Sequence, residues 1–152
     1  MSRSLALAAL FAAGLAGACA ANGAAPQYAW SYQQVEGEGE KLAYGAPNSD
    51  DVLLMMTCAP GSGRVTMSAL TDDARSDITL ASGGDQHRFA GAAYPSELGG
   101  AIIEAEARAK APTLTHFAET GDLTLLAGGQ KVKLDADAGQ KTAVTQFFQA
   151  CA

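Results

Sequence analysis

Short runs of alternating apolar and polar residues, each closed by paired glycines or a Pro-Gly step, recur through most of this chain. That punctuation favours antiparallel β hairpins over any other arrangement. Gly83-Gly84-Asp85 separates Ile78-Thr79-Leu80-Ala81-Ser82 from Gln86-His87-Arg88-Phe89-Ala90, and Gly128-Gly129-Gln130 separates Leu123 to Ala127 from Lys131 to Leu134. Ala59-Pro60-Gly61-Ser62-Gly63 stands between the apolar run Val52 to Cys58 and the alternating run Arg64 to Leu70. The first of those runs reads as a central strand and the second as its return arm. Tyr28, Trp30 and Tyr32 alternate with small or polar residues, as rings covering a core from a half-buried strand would. Lys41 to Gly45 is a further short strand, with a loop over Ala46-Pro47-Asn48-Ser49-Asp50-Asp51 after it. The acids of Glu36-Gly37-Glu38-Gly39-Glu40 lie among glycines and predict a solvated turn.

Ala101 to Ala111 admits two periods. Glu104/Arg108 and Glu106/Lys110 would pair along a helix, but the alternation of these charges with Ala105, Ala107 and Ala109 fits a strand, with alanines inward and a charge ladder in water. Two helices complete the pattern. Pro112 at a first helical position, Leu114, Phe117 and Ala118 on one face and Gly121 as a stop predict a short helix. Near the C-terminus, Asp137 with Gln140 forms an N-terminal cap, and Val144, Phe147, Phe148 and Cys151 recur at i, i+3, i+4 and i+7. The fold class expected is mainly β: an antiparallel β-sandwich or open barrel of about seven strands, with a short helix and a packed C-terminal helix.

The N-terminus carries a different signal. Arg3 precedes an uninterrupted run of Leu, Ala, Phe and Gly from Leu5 to Gly17, the layout of a secretory leader and too short for a comfortable membrane span. Residues 1–20 are therefore read as a signal peptide, 21–27 as a flexible tether and 28–152 as one globular domain. Ala18-Cys19-Ala20 suits ordinary cleavage, giving a free periplasmic protein that starts near Ala21. Leu15-Ala16-Gly17-Ala18-Cys19 resembles a lipobox with its leucine displaced by one position, and this resemblance implies lipidation at Cys19 and attachment to the outer membrane. The lipoprotein is the preferred reading. On either one Cys19 leaves the thiol pool, so in an oxidising compartment Cys58 and Cys151 are expected to form a disulfide.

Chemistry-bearing constellations are sparse. His87 and His116 are the only histidines, and neither has an acid-base partner in sequence. Gly61-Ser62-Gly63 lacks the spacing of a nucleophile elbow. Met55, Met56, Cys58 and Met67 include soft metal donors, but methionine is also an ordinary core filler. No catalytic, metal or cofactor site is assigned. Arg3 is the only charged residue of the leader, so the remainder carries all 16 acids against 9 bases, a charge of −7. Such a surface repels nucleic acid, and contact with a membrane is expected only through an N-terminal lipid.

The leader, the strand ending in Cys58 and the amphipathic ending Phe147-Phe148-Gln149-Ala150-Cys151-Ala152 together resemble many small exported bacterial proteins and lipoproteins. Ser82-Gly83 with Phe89-Ala90-Gly91 after it is distantly similar to the Ser-Gly and aromatic-Gly elements of bacterial periplasmic lysozyme inhibitors. The expected function is that of a non-enzymatic envelope module for a protein or glycan partner, with inhibition of a cell-wall hydrolase and a histidine-dependent enzyme as alternatives. Intact-mass measurement on the envelope fraction should show a species starting at lipidated Cys19 or near Ala21. Full-length protein in the cytoplasm would overturn the export reading.

Overall fold

The computed structural model describes residues 27–72, 75–97, 99–127 and 130–152; Cys19 and the rest of the leader lie outside the described residues. Nine strands and two helices succeed one another: β1 (Ala29–Val35), β2 (Gly39–Gly45), β3 (Val52–Cys58), β4 (Arg64–Thr71), β5 (Asp77–Ser82), β6 (Asp85–Pro95), β7 (Ala101–Arg108), α1 (Pro112–Thr120), β8 (Thr124–Ala127), β9 (Gln130–Lys133) and α2 (Lys141–Cys151). They build one antiparallel sheet in the order β1-β2-β3-β4-β7-β6-β5-β8-β9. It curls into a half-barrel with both helices on its concave side. The meanders β1 to β4 and β5 to β7 are joined through β4 and β7, which pair from Arg64↔Arg108 to Thr71↔Ala101.

The mainly β class and packed C-terminal helix match the sequence reading. The strand total does not, since nine form among the described residues where about seven were expected, and of the two arrangements expected the sandwich is not seen: one sheet curls into a half-barrel. The reason lies in β6. Its first half, Asp85 to Ala90, pairs with β5, and its second half, Gly91 to Pro95, pairs with β7. One long strand thus carries the sheet around its corner. A Cβ on Gly91 would collide with the Glu104 carbonyl oxygen across the ladder, so glycine is required at this close approach.

Alternation fixes which side of each strand meets the helices. In β7, Ile103, Ala105 and Ala107 are buried while Ile102, Glu104, Glu106 and Arg108 are exposed, so the strand reading of that segment holds. Small alanines there leave room for the helices. Leu42, Leu54, Met56, Val65, Met67, Ile78 and Leu80 line the same concave side. Phe117 of α1 and Phe147 and Phe148 of α2 fill it, with Phe117 touching Trp30 at a ring separation of 5.0 Å and Phe148 edge-on at 6.0 Å. Each such ring is worth about 3–5 kcal/mol on truncation to alanine.

Helix α1 runs from Pro112 to the Gly121 stop, where φ is 81° and the glycine N–H donates to the Phe117 carbonyl. Helix α2 is held at both ends. Before its first turn Asp137 Oδ1 accepts the Gln140 N–H at 2.9 Å, and the Gln140 Oε1 accepts the Trp30 N–H of β1 at 3.0 Å. At its far end the carbonyls of Ala150 and Cys151 accept from Gly61 and Gly63 in the β3–β4 turn, each at 2.8 Å. That turn supplies donors the helix terminus lacks. Cys151 is bonded to Cys58, with the two Cα atoms 5.8 Å apart.

This bond closes a separation of 93 positions, for which chain entropy predicts about 4–5 kcal/mol of stabilisation. Cys151→Ser is expected to lower the melting temperature under non-reducing conditions and to speed proteolysis of α2 before that of β4 and β7. An unchanged melting temperature would show that the helix is held without the bond.

Candidate functional site

Expected reactive residues fall into separate places. Cys58 is taken up in the disulfide, Met56 and Met67 face one another across β3 and β4 inside the core, and Met55 sits on the opposite side of its strand. The soft donors therefore do not converge. Glu104 and Glu106 project from the convex face, with Glu106 paired to Arg64 at 2.8 Å in water. His87 is exposed, its ring 4.6 Å from that of Phe89.

His116 does gain a partner that the sequence did not announce. Ser82, at the end of β5, lies 2.9 Å from His116 Nδ1, and Thr120 Oγ1 lies 3.3 Å from it. The Ser82 hydroxyl donates to the Asp122 carbonyl at 2.6 Å and the Thr120 hydroxyl to the His116 carbonyl at 2.9 Å. Both hydroxyl protons are thus committed, which makes Nδ1 the donor in this group. Ser82 is buried, and its neighbour Gly83 lies so close to the imidazole that a Cβ there would collide with it. The group ties the β5–β6 turn to the end of α1. Of Ser82-Gly83, the serine is thus turned inward while the glycine stays at the surface.

Two buried carboxylates mark further seams. Glu40, expected in a solvated turn, instead begins the inward row of β2 at 1% exposure, because it precedes Leu42 by one strand period. Its oxygens accept from Tyr32 Oη at 2.5 Å and Gln34 Nε2 at 2.9 Å, both from β1. That tyrosine hydrogen bond, together with burial and the carboxylate charge, pushes the Tyr32 phenol above its ordinary value. Asp77 on β5 accepts from Thr79 Oγ1 at 3.0 Å and Arg88 at 2.8 Å. Burial alone would raise the Asp77 carboxyl; the bonds from Arg88 and Thr79 and the charges of Arg88 and Arg75 outweigh it and hold the group below 3.8.

On the convex face the fold leaves three large apolar side chains exposed among the described residues: Leu70, Ile102 and Tyr94, at 44%, 38% and 52%. They are direct neighbours, since Leu70 lies opposite Ile102 and Ile102 opposite Tyr94. A contiguous apolar row across β4, β7 and β6 is the feature of this surface most suited to recognition. Compared with family models, curated proteins and solved structures, the chain matches none.

Because the folded Asp77 carboxyl titrates below its unfolded value, the stability it contributes is present above pH 3.8 and is lost as pH falls through the lowered folded value. Asp77→Asn should destabilise the protein by about 1–3 kcal/mol at neutral pH, discounted from a fully buried ion pair because Arg88 is solvated. The variant should also show a flatter decline in acid, as measured by denaturant unfolding across the pH range.

Proposed function

We propose that this protein is a non-enzymatic binding module of the bacterial cell envelope, exported by its leader and tethered through lipidated Cys19. The observation that carries the reading is the division of labour between the two sides of the sheet. The concave side, where a half-barrel would hold a small ligand, is filled by Trp30, Phe117, Phe147 and Phe148, so recognition falls to the outside. There the Leu70–Ile102–Tyr94 row offers apolar area to a partner. Export is supported by the Cys58–Cys151 bond, a linkage suited to an oxidising compartment. Inhibition of a cationic cell-wall hydrolase is the narrower form of this reading. The acidic charge of the chain favours it, without help from Ser82, which is buried.

Complementation of a deletion strain tests the proposal. A His87→Gln/His116→Gln double variant with a normal melting temperature should restore the phenotype, whereas Ile102→Ser should not. The opposite pattern would favour a histidine-dependent enzyme.

A further inference from the structure

The exposed row has two features that specify what fits it. At its Leu70 end it runs into a hollow of about 370 Å³, whose walls include Leu53 of β3 and Ala127 and Val132 of the β8–β9 hairpin. Asp72 lines that same hollow. Two more exposed acids are Glu104, two residues along from Ile102 on the same face of β7, and Glu97, three residues after Tyr94 in the β6–β7 connection. None of Asp72, Glu97 and Glu104 has a cation against it among the described residues, whereas Glu106 one step further is neutralised by Arg64. The surface is therefore an apolar row with a hollow of mixed apolar and polar walls at one end and, among the described residues, carboxylates without an ion-pair partner along it.

We propose that this row is the docking surface for a cationic amphipathic protein segment, which lays apolar side chains across Leu70, Ile102 and Tyr94 and sets Lys or Arg side chains against Asp72, Glu97 and Glu104. The inference rests on the binding-module reading and names the chemistry of its partner. A side chain entering the hollow would be an anchor of the kind that dominates interface energetics, with the tyrosine as its counterpart at the other end. Lys and Arg suit the Asp72 end in particular, because their aliphatic stems can track along Leu53 and Val132 while the charged group stays beside the carboxylate. The row itself belongs to β4, β7 and β6, strands interior to the sheet, so docking on it proceeds through side chains without pairing of backbone edges. A second copy using the same face would bring its own carboxylates against these, and an anionic lipid surface would be repelled by them.

The test uses the purified protein with its disulfide intact and two synthetic amphipathic peptides of equal length, one of Leu and Lys and one of Leu and Glu. The Leu/Lys peptide should bind saturably, and the Leu/Glu peptide should not. Ile102→Ser and Tyr94→Ser should each weaken binding at least tenfold with unchanged melting temperatures. Asp72→Asn combined with Glu104→Gln should weaken it and reduce its salt dependence, while Glu36→Gln combined with Glu38→Gln, on the distant β1–β2 turn, should leave it unaltered. No binding of the Leu/Lys peptide, equal binding of both peptides, or affinity insensitive to Ile102→Ser and Tyr94→Ser would overturn the proposal. So would a dimer, or adsorption to anionic vesicles, that Ile102→Ser abolishes. If an envelope partner is lost in complementation with Ile102→Ser but the Leu/Lys peptide never binds, the binding-module reading stands and the cationic partner falls.

Discussion

Burial of the α2 stripe in the concave side of the curled sheet is the interaction on which the rest of this structure depends. A single sheet has one face to hide, and here no second sheet hides it. Val144, Phe147, Phe148 and Cys151 do so, joined by Leu114 and Phe117 from α1. Each large side chain so buried contributes about 1.5–3 kcal/mol of transfer free energy. Position matters as much as area. The helix is fixed to β3 by a covalent bond, to the β3–β4 turn by its last carbonyls, and to β1 through Gln140. β1 and β3, the two neighbours of β2 in the sheet, are thereby both tied to the helix.

The curvature itself is written into the sheet. β6 changes partner at Gly91, and the buried polar groups stand close to such seams. Asp77 pairs with Ala90 at the end of the β5–β6 ladder, and the Ser82, His116 and Thr120 group links the end of β5 to α1. Glu40 with Tyr32 and Gln34 sits where β1 and β2 meet the disulfide-bearing β3. Buried polar groups of this kind cost stability when a partner is missing. A one-residue slip in any of these ladders would leave such a group without its partner, so the same groups reinforce the register that the hydrophobic pattern sets.

Once the concave side is filled, chemistry of any kind is left to the outer surface. The polar and charged residues there are mostly dispersed, with Arg64 and Glu106 compensating one another. The apolar row departs from that pattern, and it does so on the strands that join the two meanders. The element that closes the fold thus also carries its most distinctive exposed feature.

Local patterns encode the class, most of the elements and the cysteine pairing. The inward alanines of β7, the Pro112 start and Gly121 stop of α1, the Val144 to Cys151 stripe and the glycine-marked hairpins each express a period or a backbone requirement contained within a few residues. With Cys19 set aside, Cys58 and Cys151 are the two cysteines left to pair, and the structure joins them. What local pattern could not contain is pairing at a distance. Insertion of β7 between β4 and β6 sets Leu70 beside Ile102 and Ile102 beside Tyr94, residues 32 and 8 positions apart. Both Ile102 and Ile103 are apolar, so sequence alone does not say which one faces water. Ser82 reaches His116 over 34 positions by the same means. Glu40 shows the converse: a glutamate among glycines reads locally as solvated, and only the β1–β2 register, bringing Tyr32 and Gln34 onto it, offsets the cost of its burial. Periodicity is a property of neighbours along the chain and is legible there; register is a property of strands that meet only after folding, and only the tertiary structure decides it.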